Sequence, residues 1–443
     1  MAFEAAIRQR QRVVVRQLSP VRATQVSFLR FVHNPAVRVA ALVAAQAQDA
    51  GLTRYAGHVL ALTDTTALDL RRHAGRLDAA TVGPIGPGGK GLGLLLHPVL
   101  CLAADPDAPQ QVLGVSSLQH WHRPPAAAGN KHTRRYQTLP LAQKESHKWL
   151  VAGQQTRQLL PAAARITLVG DREGDCYAVL AGLQAQDVDF VFRRQQDRAL
   201  VDEADRLGAF LARQPAQATY AVTVAAPAAT TTHPTRTATL GVRWAPVRLR
   251  RPAYLPATEA PAELAVWAVS VTEDTPPAGQ APLSWQLLTT HPVETVEQAR
   301  QIVGYYARRW WIEQLFRVLK QQGLRVEDTQ LADGEAIVRL VALALPAALA
   351  VMQLVLSRHS PAPQTLLDAD RLSCLRQLAP TLSGRTEKQR NPHPPDSQAW
   401  VSWLIARLGG WSGLVSQRPP GVITLKNGWE YFQTYFTGWK AAP

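Results

Sequence analysis

Between residues 58 and 192 the chain alternates short apolar runs with segments of helix length. The apolar runs are each of strand length and are flanked by polar turn residues, at 58–62, 93–102, 112–118, 166–169 and 188–192. Such runs predict buried β-strands, and the longer segments between them, 144–160 and 175–183, predict helices. The order of strand, hairpin, helix, strand, helix and strand predicts an α/β fold.

The rest of the chain differs from this pattern in composition and periodicity. The chain has 443 residues, too many for a single ordinary core, so we expect several units. Alternating Thr, Val and Ala residues predict inserted strands, and a final apolar strand and a helix from about 295 to 322 resume the α/β pattern. We expect a helical N-terminal region (1–56), the first part of the core (57–195), a β-rich insertion (196–282), the last part of the core (283–325) and a helical C-terminal region (326–443).

Two of the predicted strands lead directly into an aspartate. Asp64 follows the first run, and Asp171 follows the run at 166–169. The carboxyl ends of parallel strands are where α/β sheets bind ligands, so both carboxylates are candidates for one crevice. A single aspartate after a strand is more often a turn or helix-cap residue. Two aspartates that follow neighbouring strands, in contrast, favour a functional site.

A third polar group occupies one stripe of the helix predicted near 295–322. The polar positions are separated by steps of three and four residues, which places them on one helical face: Tyr306, Arg309, Glu313, Arg317 and Lys320. The opposite side carries Ile312, Leu315, Phe316 and Leu319 for packing. A surface ladder of ion pairs would explain only the three charged residues Arg309, Glu313 and Arg317. The tyrosine and the lysine extend the stripe beyond such a ladder.

The charge of the chain favours a polyanionic partner. Forty-eight Lys and Arg residues outnumber 33 Asp and Glu, for a formal net charge of +15. Near the N-terminus, Arg8, Arg12 and Arg16 are four residues apart, which predicts one basic helical face. That face is either a solvated stripe or a contact with DNA phosphates.

Cysteine usage and hydropathy indicate where the chain works. Its three cysteines form no C-x-x-C pair, so neither a disulfide framework nor a structural zinc site is indicated and a reducing cytoplasm is expected. The apolar segment 340–356 contains Pro346 and Gln353 and is shorter than a typical membrane span. We interpret it as a buried core helix, with no membrane partner.

A group of histidines between the hairpin and the next helix permits a different chemistry. His120 and His122 form an H-x-H pair, with His132 and His147 further along, which would suit a zinc hydrolase. The same stretch carries many basic side chains: Arg123, Lys131, Arg134, Arg135, Lys144 and Lys148. A basic loop that contacts DNA is the favoured interpretation.

Together these motifs resemble the DDE transposases of bacterial insertion sequences. The signature Y-x2-R-x3-E-x6-K is matched by Tyr306, Arg309, Glu313 and Lys320, and the blocks that begin at Asp64 and Asp171 are similar to the other two motifs of the family. The similarity extends over nearly the whole chain, from 31–35 to 409–439.

The resemblance implies an RNase H-like catalytic core with the β-rich subdomain inserted before the last catalytic helix. It implies two Mg²⁺ ions per site, with Mn²⁺ as a substitute, held by Asp64, Asp171 and Glu313, since two metals can activate the attacking oxygen and stabilise the leaving one. Tyr306, Arg309 and Lys320 would hold phosphates. The expected reaction proceeds through a nick, a hairpin and its resolution, and Trp285 would stack on a flipped base.

The resemblance also implies partners. Double-stranded DNA, both transposon ends and target, is the expected substrate, and a homodimer is expected in the paired-end complex, in a bacterial cytoplasm near the nucleoid. The N-terminal region would read the transposon ends. Aromatic residues near the C-terminus are either interface anchors or the core of a small helical domain: Trp411, Trp429, Tyr431, Phe432 and Phe436.

Two other functions stay open at this point. A metal-dependent nuclease without joining activity can be built on the same core. A non-catalytic protein that occupies transposon ends and inhibits transposition is the second alternative, and an intact acidic triad argues against it.

Overall fold

The structure is a computed structural model with two compact units. It describes residues 2–86, 90–104, 111–124, 139–224, 236–277, 279, 281–320, 322–384, 386–414 and 419–441. The first unit contains residues 1–57, 64–129 and 311–443, and the second contains 58–63 and 130–310.

The described residues form both strands and helices, so the fold is mixed α/β. The strands are β1 (His58–Thr63), β2 (Thr66–Asp69), β3 (Gly93–Ala103), β4 (Val112–Trp121), β5 (Arg165–Gly170), β6 (Asp189–Arg193), β7 (Ala218–Val224), β8 (Arg236–Arg250), β9 (Glu263–Glu273) and β10 (Ser284–Thr289). The helices are α1 (Ala2–Arg10), α2 (Val15–Leu18), α3 (Arg22–His33), α4 (Val39–Asp49), α5 (His147–Leu159), α6 (Tyr177–Ala185), α7 (Leu207–Arg213), α8 (Val296–Arg308), α9 (Trp310–Leu319), α10 (Gly334–Leu356), α11 (Ala369–Leu382), α12 (Gln398–Leu408) and α13 (Val422–Ala441).

The second unit is built on a sheet with the strand order β1-β5-β6-β10-β9-β8-β7. β1, β5 and β6 are parallel, as expected for strands joined by helical crossovers, and the remaining pairs are antiparallel. The central strands are almost wholly buried, which explains their continuous apolar sequence. The strands predicted from periodicity in the core are therefore confirmed.

The predicted β-rich insertion forms strands but not a separate sheet. β10 pairs with β6 on one side and with β9 on the other, so β9, β8 and β7 continue the core sheet as an antiparallel meander. Its composition differs from that of the core because antiparallel strands with one solvated face alternate in polarity. The change of composition at 196 thus marks a change of strand direction and exposure.

The first unit combines an antiparallel sheet, β2-β3-β4, with the N-terminal and C-terminal helices. Its longest helix, α10, is apolar and long enough to cross a membrane by length and composition alone. However, 89% of its apolar window is buried inside the protein, where α1, α3, α4, α12 and α13 contact it. The interpretation of this segment as a core helix is confirmed.

The expected basic face of the N-terminal helix was wrong. α1 ends at Arg10, Gln11 adopts a left-handed conformation with φ 48°, and α2 starts only at Val15. The Gln11 side chain donates a hydrogen bond to the Arg8 carbonyl, which terminates α1, and the β-branched residues at 13–15 disfavour continuing it. Arg8, Arg12 and Arg16 therefore do not share one helix, and Arg12 lies 3.6 Å from Glu430.

The C-terminal aromatic residues belong mainly to a core. Trp429, Phe432 and Phe436 are buried on α13, and Trp403 packs edge-on against Trp411. In contrast, Tyr431 on the same helix is 55% exposed. Of the five aromatic residues considered as interface anchors, Tyr431 is the one on the surface.

Candidate active site

The register of β1 and β5 places the two aspartates at equivalent positions. The parallel pairing joins Val59 to Ile166 and runs to Leu62 and Val169. Asp64 and Asp171 are each the second residue after that last pair. Both therefore follow the carboxyl ends of neighbouring parallel strands, as the sequence predicted.

Close packing explains the glycines beside Asp171. A Cβ atom on Gly170 would lie 2.4 Å from the rings of both Trp149 and Phe192, and one on Gly174 would lie 2.8 Å from Phe192. Only glycine fits at these positions, since real Cβ contacts are not so short. The turn after β5 is thus held against the buried aromatic residues, which fixes where the Asp171 backbone leaves the sheet.

The second aspartate of this block has a structural role. Asp175 is buried, forms an ion pair with Arg198 and accepts the backbone N–H groups of Gln195 and Gln196 at 2.7 and 2.8 Å. All of these contacts tie α6 to the segment after β6. A buried carboxylate with this many donors stabilises the fold.

Asp171 is surrounded by residues of the signature helix. The Tyr306 hydroxyl donates a hydrogen bond of 3.2 Å to Asp171 Oδ1, and Arg309 Nη2 lies 3.9 Å from Oδ2. Burial, together with the nearby Asp171 charge, raises the pKa of Tyr306, so its hydroxyl remains protonated as a donor. The Asp171 side chain is 35% exposed and therefore remains accessible from solvent.

Trp285 lies beside this cluster. It is half-buried on β10, and its ring meets that of Tyr306 edge-on with centroids 6.1 Å apart. Trp285 therefore lies beside Tyr306, while its stacking on a base stays a prediction.

Sequence reasoning missed a second tryptophan, Trp310, which follows Arg309 and is 52% exposed. The signal was present in the helical period, because Trp310 falls opposite the buried Ile312 and Leu315.

The single long helix expected from about 295 to 322 is divided in two. α8 begins with a capping box, in which Thr295 and Gln298 accept each other's backbone N–H groups, and ends at Arg308. α9 begins at Trp310, although Arg309 between them keeps helical angles of −50° and −34°. Glu313 is half-buried on α9.

Lys320 contacts the segment that follows Asp64. Its Nζ donates to Thr66 Oγ1 at 2.6 Å and to the Ala67 carbonyl, and it lies 3.9 Å from Glu327. Burial lowers the pKa of Lys320, although the Glu327 and Asp69 charges oppose this shift. In this structure Lys320 therefore anchors β2, a role in addition to the phosphate contact that the sequence predicted.

The same lysine lines a polar cavity of about 580 Å³ in the first unit. Its walls carry four basic and three acidic side chains: Asp69, Arg71, Arg72, Lys320, Arg325, Glu327 and Asp328.

The residue after Asp64 is held by two hydrogen bonds. The Thr65 hydroxyl lies 3.0 Å from the buried His97, and Thr65 N–H donates to Asp64 at 2.7 Å. These contacts order the chain that follows Asp64.

The second unit also holds a pair of titratable groups that the sequence did not indicate. Thr167 Oγ1 lies 2.7 Å from Nε2 of both His58 and His291. One hydroxyl can donate to one neutral imidazole and accept from the other, so the bridge suits two uncharged rings. Burial, together with the Arg165 charge, lowers the pKa of each histidine to about 4, while the Asp189 charge opposes the shift.

The histidines weighed as possible zinc ligands, the less favoured interpretation, are described only in part. His120 lies 3.0 Å from Glu335, and His132, with the other residues of 125–138, is outside the described residues. Within the described ranges, no group of three or more His, Cys, Asp or Glu side chains is placed to hold a metal ion. The metal-binding roles of Asp64, Asp171 and Glu313 stay predictions.

Comparison with protein families relates this chain to known transposases. Residues 130–350 match the family described as the transposase DDE domain. The matched segment contains Asp171, Trp285, Tyr306, Arg309, Glu313 and Lys320, and it begins after Asp64.

Proposed function

We propose that this chain, which belongs to the DDE transposases, binds the ends of an insertion sequence, cleaves the DNA there and joins those ends to target DNA. The observation that carries the proposal is the register of β1 and β5, which puts Asp64 and Asp171 after the carboxyl ends of adjacent parallel strands. The family match supports the type of reaction. The metal-binding chemistry of carboxylates supports the roles proposed for Asp64, Asp171 and Glu313.

The carboxylates of Asp64, Asp171 and Glu313 would hold two Mg²⁺ ions, with Mn²⁺ as a substitute. Their oxygens are the hard ligands that Mg²⁺ prefers, and Asp171 is accessible because Tyr306 takes only Oδ1 while Arg309 stays at 3.9 Å from Oδ2. Magnesium, when bound, activates the attacking oxygen and stabilises the leaving oxygen of the phosphodiester. Before the metal binds, Arg309 offsets part of the Asp171 charge.

The side chains around Asp171 would bind and orient the DNA. Tyr306 fixes the Asp171 carboxylate through its hydroxyl, and the Arg309 fork would bind a phosphate next to the scissile bond. Trp285 and the exposed Trp310 offer aromatic faces within this region, and such faces stack on unpaired bases. This supports a hairpin intermediate, in which a base leaves the helix and the freed 3′ hydroxyl attacks the opposite strand.

The remaining regions would supply end recognition and pairing. We propose that Arg8, Arg12 and Arg16 contact phosphates separately rather than as one helical face. Two ends of one element must be held together for insertion, so the active species would be a homodimer. The exposed Tyr431 is the candidate anchor of that interface. We propose that the protein acts in the bacterial cytoplasm, where its DNA lies.

Strand transfer tests the proposal. A linear fragment that carries the DNA flanking the gene on both sides is incubated with the protein, Mg²⁺ and a circular target. We expect insertion products with short direct repeats at the junctions. Cleavage that leaves only free ends would identify a nuclease instead, and binding without cleavage in Mg²⁺ and Mn²⁺ would identify an end-binding inhibitor.

A further inference from the structure

Two basic side chains, Arg358 and His359, meet after the end of α10, in the C-terminal region that was expected only to dimerise. Arg358 and His359 lie in the turn that follows α10, and His393 precedes α12. Arg358 is half-buried; its Nε donates to His359 Nε2 at 3.2 Å, and its Nη1 reaches the Pro420 carbonyl at 3.5 Å. Burial, together with the charge of His359, lowers the pKa of His393.

This basic cluster lacks acidic partners among the described residues. None of the contacts of Arg358, His359 or His393 there involves a carboxylate. The sequence from 397 to 429, which includes Pro420, contains no Asp or Glu. Two other arginines of the region form ion pairs with carboxylates: Arg371 with Asp368, and Arg376 with Asp396.

The electrostatics of the cluster favour a bound anion. Burial lowers the pKa of all three groups, Arg358 lowers that of His359 further, and no acidic group raises any of them. A half-buried cation without a counterion is unfavourable, so an anion that contacts Arg358 would be stabilised. The positive charge in this part of the first unit is therefore available to a ligand.

The donors of the cluster suit a phosphate. A guanidinium has five N–H groups, and the Arg358 contacts use two. Because His359 accepts through Nε2, its neutral form carries the proton on Nδ1, which is then a further donor. Arg358 also follows the C-terminus of α10, where any cation is favourable. A favourable interaction with the end of the helix would involve Arg358 alone and would not explain the two histidines. The Arg358 side chain also contacts His359 and the Pro420 carbonyl, not the carbonyls of α10.

We propose that Arg358, His359 and His393 form a second DNA contact, which binds a backbone phosphate of the duplex. The inference rests on the proposed function, because it takes DNA as the polyanion that this chain of net charge +15 encounters. An arginine fork matches phosphate oxygens. The region 326–443, expected only to dimerise, would then also hold the DNA.

The salt dependence of duplex binding tests the inference. The triple variant Arg358→Gln, His359→Gln, His393→Gln is compared with wild type and with Arg376→Gln, which removes a paired arginine from the same region. Fluorescence anisotropy gives Kd over a range of NaCl concentrations. The triple variant should bind several-fold more weakly, with the slope of log K against log salt reduced by about 1, since one phosphate contact contributes about 0.9.

Controls separate the possible failures. Arg376→Gln should keep the wild-type slope, and Arg358→Lys alone should keep it too because the charge remains. Circular dichroism verifies that each variant is folded, and the single variant Arg358→Gln replaces the triple one if the latter is not. Cleavage at saturating DNA should stay within about twofold of wild type, because the catalytic residues are unchanged.

An unchanged slope in a folded variant, with wild type binding DNA normally, would overturn this inference alone. Failure of wild type to bind duplex would instead overturn the proposed function. A DNA-free arm compares Tm in inorganic phosphate and in chloride at equal ionic strength. Stabilisation by phosphate that the triple variant loses, combined with an unchanged DNA slope, would identify a site for free phosphate and refute the DNA contact.

Discussion

The buried pair of His58 and His291 predicts that the protein loses stability in mild acid. His291 is 5% exposed, and burial lowers its pKa from 6.5 to about 4. Both rings share Thr167, and the charged groups that face them are Arg165, Asp189 and Arg308. The perturbation is a change of pH from 7 to 5.

The sign follows from the lowered pKa. Below pH 6.5 the unfolded state binds a proton at this histidine and the folded state does not, so the free energy of unfolding falls as the pH drops from about 6.5 towards 4. A shift of about 2.5 pKa units corresponds to about 3.4 kcal/mol in full, at about 1.36 kcal/mol per unit. About 2 kcal/mol of this is lost by pH 5 for His291 alone.

Urea denaturation at pH 7 and at pH 5 measures the effect. The variant His291→Gln keeps a polar partner for Thr167 but has no titratable side chain at this position. Its free energy of unfolding should therefore fall between pH 7 and pH 5 by about 2 kcal/mol less than that of wild type. The NMR titration of His291 in the folded protein should have its midpoint near 4. Equal pH dependence of the two proteins, or a midpoint at 6 or above, would refute the reasoning.

Four further perturbations test the active site and the DNA contacts. Trp285→Ala should leave the first nick intact but reduce hairpin formation by about tenfold or more, because stacking contributes about 1 to 3 kcal/mol; a substrate lacking the flipped base should partly restore it, and equal loss of both steps would show a packing role only. Lys320→Met should reduce cleavage by at least about tenfold with duplex binding nearly unchanged, since it removes a cation that orders the chain after the first catalytic aspartate; normal cleavage would contradict this. Tyr431→Glu should leave single-end binding and prevent paired complexes on a native gel, because a charge in an interface core is unfavourable; normal pairing would exclude this surface. Arg8→Gln with Arg16→Gln should lower the salt slope of end binding by about 2, and an unchanged slope would make both arginines solvated surface residues.

The elements that carry the site could be predicted because their signals are local. The apolar runs that end at Leu62 and Val169 each precede an aspartate, and the helical period of the signature grouped Tyr306, Arg309 and Glu313 without any long-range information. The register of β1 with β5, in contrast, is known only from the structure, because two continuously apolar strands carry no alternation that would set it.

Features that depend on contacts distant in sequence could not be predicted. Thr167 meets His291 across 124 positions of sequence. The continuation of the core sheet through β9 likewise depends on a pairing that periodicity does not specify. Local pattern gave the type of each element, and tertiary packing decided where it ended.

The central claim is that Asp171, with Asp64 and Glu313, provides the metal-binding carboxylates of a DNA-cleaving site. The most direct measurement is Mg²⁺-dependent nicking of end-bearing DNA by Asp171→Asn, which keeps the shape of the side chain and its hydrogen bond to Tyr306 but removes the charge. Duplex binding should remain within about twofold of wild type, since phosphate contacts carry it, whereas nicking should fall by more than about a hundredfold because metal binding is lost. Nicking within about tenfold of wild type, with DNA binding intact, would contradict the assignment.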